Sequence, residues 1–151
     1  MHPELEKGGL LAPLEGYEQR RPADVYLPAW VHGCPAALDL AVTSPQRQSI
    51  VDLASREPLA SAHQYSQTKR EYFHTFDACR EAGVEFIPLV CETTGAWSKE
   101  AMVVFGHMAK AAVINIGRDS TKVLQESLQV LSVAARRCQA RALLRRITLS
   151  A

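Results

Sequence analysis

The chain has 151 residues, enough for one domain with a single core and little beyond it. Its 47% hydrophobic and 22% charged content argues against disorder, and a net charge of +1 gives no overall sign of a polyanion or membrane partner. No hydrophobic leader opens it and no run of 18 apolar residues occurs, which supports neither secretion nor membrane spanning.

Residues 1–20 mix Gly, Pro and charge without a clean period and read as a loop, with a short helical turn near "PELEKGG". This short polar lead, with no tail at the other end, suggests a piece of a longer chain. "ADVYLPAW" then alternates as a strand, with Val25 and Leu27 opposite Asp24 and Tyr26. "VHGCP" punctuates as a turn. "AALDLAVT" is a stronger strand, setting Leu38, Leu40 and Val42 on one face and Asp39, Ala41 and Thr43 on the other. The two strands and their Gly/Pro connection predict a hairpin.

"QRQSIVDLASRE" and "ASAHQYSQTKREYFHTFDACREAG" are long, polar and periodic, and predict one or two helices capped at Gly83. "VEFIPLVCET" is a continuous apolar run of strand length, as expected for a strand covered on both faces. A helix follows to about Gly117. The last stretch, "STKVLQESLQVLSVAARRCQARALLRRI", predicts one long helix with Ser120 as N-cap and an apolar stripe of Leu124, Leu128, Leu131 and Ala135. The order strand, strand, helix, strand, helix, helix predicts a small α/β sheet flanked by helices. Residues 1–19 are then a lead, 20–117 the core and 118–151 a basic helix.

Two acids stand out because they interrupt strands. Fourteen residues separate Asp24 from Asp39, and a hairpin would bring them side by side. Carboxylates that close repel each other unless a cation lies between them. Mg²⁺ (or Mn²⁺) suits hard oxygen ligands, often one or two carboxylates with water and phosphate. Its characteristic service is phosphodiester hydrolysis.

At this point "RPAD…ALDLAVT", followed by a helical "KREY", resembles the PD-(D/E)XK (restriction endonuclease-like) superfamily. More narrowly it is similar to the endonuclease domain of site-specific non-LTR retrotransposons. The resemblance covers roughly residues 20–97 and implies a small mixed sheet flanked by helices, with Mg²⁺-dependent DNA cleavage. Asp24 and Asp39 match the two metal-binding acids. Lys69 matches a catalytic lysine relocated to the helix, and Tyr72 the aromatic position after it. The chain departs from the pattern in reading P-A-D where P-D is common, and in placing Ala41 where the usual lysine stands two residues after the acid. No single acid among Glu4, Glu6, Glu15 and Glu18 stands for the superfamily's leading helix.

Glu92, ending the apolar run, is an accessory catalytic candidate whose structural alternative is helix capping or arginine pairing. Trp97 reads as a core anchor. His32, His63, His74 and His107 show no ligand spacing, and Cys34, Cys79, Cys91 and Cys138 form no CxxC pair. Free thiols point to a reducing compartment, nucleus or cytoplasm. No acid follows Glu126, while Arg136, Arg137, Arg141, Arg145 and Arg146 crowd the end. Such a face is either solvated or contacts DNA phosphates. The expected function is a metal-dependent DNA endonuclease. Its alternatives are a degenerate nucleic-acid-binding module, or an interaction domain in which the long helix forms a homodimer.

Overall fold

The alternating run "AALDLAVT" organises the sheet. A computed structural model of the chain describes residues 3–8, 10–11, 16 and 21–149, without the side chains of 115–116 and 146–149. Four strands lie in the order β1 (Glu4–Leu5), β2 (Val25–Leu27), β3 (Ala36–Thr43) and β4 (Glu85–Glu92). The β1/β2 and β2/β3 pairs are antiparallel, so the expected hairpin is present. Strands β3 and β4 run parallel, from Ala36 beside Glu85 to Thr43 beside Glu92. A parallel pair needs a crossover, supplied here by α1 (Val51–Ala54), α2 (Ala60–Glu71) and α3 (Thr75–Glu81). Helices α4 (Lys99–Ile116) and α5 (Ser120–Leu149) complete a mixed α/β architecture.

Each face of the sheet has its own core. Ala37 and Phe86 pack with Leu11, Ala23, Ala78 and Cys79 on the side of α3. Leu38, Ile87 and Leu89 pack with Leu27, Ala101 and Val104 on the side of α4, where Trp97 meets Phe105 edge-on at 5.0 Å. From Phe86 to Glu92, β4 is buried throughout, as its unbroken apolar run predicts. The β3 alternation is also as expected, but its burial is not. Leu40 and Val42 remain 42% and 57% exposed, because the cover on the α4 side lies over β4 and reaches β3 only at Ala36 and Leu38. The face carrying Asp39, Ala41 and Thr43 is the better covered one along this stretch.

Three local expectations change. The turn expected in "PELEKGG" is strand β1, whose two residues pair with Val25 and Tyr26; a partner about twenty residues away leaves no local period. The helical stretch to Gly83 is three helices, with α2 and α3 separated at Tyr72–His74. Phe73 (φ 49°) and His74 (φ 55°) take left-handed conformations there without a glycine or proline to announce the break. The cap of α5 is Asp119 rather than Ser120, its Oδ1 accepting the Lys122 N–H at 3.0 Å. The stripe of Leu124, Leu128, Leu131 and Ala135 is half-buried, and α5 packs on α4.

All four thiols are free, with Cys34 and Cys138 exposed and Cys79 and Cys91 buried. Burial pushes the Cys79 thiol up to about 11 and raises Cys91 as well, which keeps both as unreactive thiols. A disulfide-exchange reagent should therefore titrate two thiols in the native protein and all four in denaturant. Rapid native labelling of Cys79 would contradict the packing of α3 on the sheet.

Candidate active site

Strand pairing brings the two acids together. Asp24 stands one residue before β2, just past the ladder pair of Val25 and Leu38, and Asp39 follows Leu38 in β3. The Asp24 N–H donates to the Leu38 carbonyl at 3.0 Å, and its Oδ2 accepts the Leu40 N–H at 2.7 Å. That second bond occupies an amide beyond the end of the β2 ladder and holds the carboxylate against β3. Asp24 lies close enough to Asp39 for its charge to raise that carboxyl.

Helix α2 supplies the third group. It runs antiparallel to β3, with the Thr43 and Ser61 hydroxyls 3.1 Å apart at one end and Lys69 Nζ 2.9 Å from Asp39 Oδ2 at the other. Four strand residues at ~3.3 Å each cover about the same length as eight helix residues at ~1.5 Å each. The match of those two lengths sets Lys69 on Asp39. Both side chains are largely covered, at 29% and 15% exposed.

The electrostatics follow from this crowding. Burial lifts the Asp39 carboxyl above its ordinary value; the hydrogen bond and charge of Lys69 oppose the rise, and Asp24 adds to it by repulsion and hydrogen bonding. Burial acts to lower Lys69, but the bond to Asp39 and its charge prevail, with Tyr65 and Asp24 contributing, so the ammonium is held above its ordinary value. The two shifts are compatible. One lysine keeps its own proton firmly, yet does not offset both burial and a second carboxylate at Asp39.

With a raised folded value, Asp39 favours the fold below about 3.8, and that contribution is lost as pH rises through the raised value. Lys69 favours the fold below 10.5 and loses its contribution as pH climbs through its own raised value. Asp24→Asn should therefore bring the Asp39 titration down toward the ordinary carboxylate range, read by carbon-detected NMR. It should also stabilise the fold above that range, because an amide oxygen still accepts the Leu40 N–H. An unmoved Asp39 titration would mean the two carboxyls do not interact.

Two carboxylates and one ammonium leave the trio at a formal charge of −1. The donor set fits Mg²⁺ or Mn²⁺, which accept a minority of carboxylate ligands and complete their shell with water or phosphate. Among the described residues no group of three or more His, Cys, Asp and Glu forms a cage for a metal.

The other sequence candidates lie elsewhere. Glu92 is beside Thr43, four residues along the same sheet face from Asp39, and is not brought to the trio. It is 6% exposed, and its Oε1 accepts the Ala62 N–H at 3.2 Å while Oε2 accepts from the Thr94 hydroxyl at 3.4 Å. It thus caps the N-terminus of α2, where Leu59 offers no side-chain acceptor. Tyr72 is 62% exposed and packs edge-on against Phe73 at 4.4 Å. Arg136 is engaged by the turn after β4, donating to the Thr93 and Thr94 carbonyls at 3.1 and 2.9 Å. Arg137, Arg141 and Arg145 are exposed along α5, Arg137 and Arg141 on the side turned from its apolar stripe and Arg145 on its flank, and the Arg146 side chain lies outside the described residues.

Two neighbours of the trio went unmarked in the sequence. Tyr65 lies one helical turn before Lys69, with Lys69 Nζ 6.0 Å from its ring centre, and Arg47 Cζ stands 5.9 Å from the same ring. The i, i+4 spacing of Tyr65 and Lys69 was the available signal. Comparison with protein-family models, curated proteins and solved structures finds no match to this chain. No described helix is long and apolar enough to cross a membrane.

Proposed function

We propose that this chain is a divalent-metal-dependent DNA endonuclease domain of the restriction endonuclease-like type, similar to those of site-specific non-LTR retrotransposons. The observation that carries this reading is the meeting of Asp24, Asp39 and Lys69, three residues drawn from separate elements. Asp24 and Asp39 would hold Mg²⁺ or Mn²⁺. The bound metal supplies a more acidic water and neutralises charge at phosphorus.

The residues themselves divide the remaining work. The Leu40 N–H fixes Asp24, so one ligand is oriented before any metal arrives. Lys69, held above its ordinary value, stays protonated at neutral pH. It therefore acts as a donor to the attacking water or to a phosphate oxygen, rather than as the base. A charge fixed in place where negative charge develops stabilises the transition state. DNA as substrate puts this work in the nucleus or cytoplasm.

The direct test is nicking of supercoiled plasmid by the full chain with Mg²⁺ or Mn²⁺, stopped by EDTA. No metal-dependent nicking under either ion would sink the reading. Arg137, Arg141 and Arg145 supply the non-specific DNA-binding surface. Replacing all three by alanine should weaken binding to unrelated duplexes alike. The salt slope should flatten by up to about 0.9 for each phosphate no longer neutralised. An unchanged slope would return them to a solvated face.

A further inference from the structure

Among the described residues, Arg47 is a half-buried cation with no acid beside it. It lies in the turn after β3, where its Nε donates to the Ser44 carbonyl at 3.4 Å and Nη2 to Gln64 Oε1 at 3.3 Å. No described carboxylate pairs with it, whereas Arg70, also half-buried, is paired with Glu100 at 3.4 Å. A guanidinium carries five N–H donors, so two long bonds to neutral acceptors leave capacity for a ligand. Partial burial of an uncompensated cation costs free energy that an arriving anion would offset.

Its position gives that anion an identity. The half-buried ring of Tyr65 is shared by Arg47 and Lys69, with Arg47 Cζ 5.9 Å and Lys69 Nζ 6.0 Å from its centre. Sharing one ring puts the two cations no more than about 12 Å apart, close enough to serve nearby phosphates of one strand, where successive phosphates rise by ~3.4 Å. We infer that Arg47 and Tyr65 form a phosphate-binding subsite for the phosphate next to the one attacked. The inference rests on the nuclease reading of the trio and narrows its substrate to a polynucleotide strand rather than an isolated phosphodiester. Arg47 is a positioning residue; Tyr65 is the ring it shares with Lys69.

The experiment compares Arg47→Gln with the parent chain on two substrates: a DNA duplex, and bis(p-nitrophenyl) phosphate, a diester with no neighbouring phosphate. On DNA the variant should show KM raised about tenfold with kcat within about twofold; on the small diester both constants should be unchanged. The salt slope of its metal-free DNA binding should fall by about 0.9, the share of one phosphate. Arg47→Lys should recover the slope and only part of the KM, because a point charge lacks the planar fork. Melting temperatures of the variants separate a binding role from a structural one. A destabilised Arg47→Gln with parental KM and slope would overturn the subsite, as would equal losses on both substrates. If the parent hydrolyses neither substrate, the nuclease reading fails while the salt slope still decides: a reduced slope upholds phosphate binding at Arg47, and an unchanged one removes it.

Discussion

Asp39→Ala is expected to abolish Mg²⁺-dependent nicking, by at least about 10³-fold, while DNA binding is kept or tightened. The variant loses a proposed metal ligand and also a negative charge that repels phosphate. Its fold should survive, since the carboxylate removed is one that burial already disfavours in its ionised form. Lys69→Ala should lower the rate by about 10²–10³-fold, the usual cost of removing one donor to developing charge. It should also leave Asp39 facing Asp24 without a counter-charge. The carboxyl then rises further, and the metal-dependent rate should need a higher pH to reach its plateau. Lys69→Arg should restore only part of the rate, because a guanidinium is wider and cannot take the ammonium's place on Asp39. Equal rates for the parent and both alanine variants on one plasmid would assign any nicking to a contaminant.

Glu92→Ala should cost about 2–3 kcal/mol of stability, combining loss of a helix cap with a buried, unpaired Ala62 N–H. For a chain of this length that is a fall of about 5–10 °C in the melting temperature. Glu92→Gln keeps an acceptor for Ala62 and should lose less than half as much. A metal ligand would behave in the opposite way, with the glutamine variant inactive and its melting temperature unchanged. Thermal scans of the two variants beside plasmid nicking separate these roles.

Local pattern was informative where one residue's neighbours in sequence are also its neighbours in space. Ala36–Thr43 follows from alternation, Glu85–Glu92 from an unbroken apolar run, and the end of α4 from Gly117, whose φ of 68° suits a residue without a side chain. Where the partner is distant, pattern was silent. β1 exists because of β2, and the cap of α2 comes from Glu92, thirty residues beyond the amide it accepts. The break at Tyr72–His74 uses residues that ordinarily avoid left-handed backbone, so composition pointed the other way. At the candidate site, the approach of Asp24 to Asp39 was legible from a hairpin. That of Lys69 needed the length match between α2 and β3, which depends on where the crossover begins. Arg47 was invisible because nothing in its own stretch says that the turn after β3 folds back onto Tyr65.

Helix α2 is held at one end and used at the other. Glu92 fixes its first turn at Ala62, and Lys69 sits seven residues further along, about 10 Å away at the helical rise of ~1.5 Å per residue. The helix is thus a lever arm with a fulcrum remote from the lysine. A tilt of about 5° at the capped end would carry Nζ sideways by roughly 1 Å, a displacement large enough to cost a reaction about 10²-fold. If Lys69 serves the proposed nuclease site, substitutions around Thr43, Ser61 and Glu92 should therefore lower turnover without touching DNA or metal, as errors of aim rather than losses of chemistry.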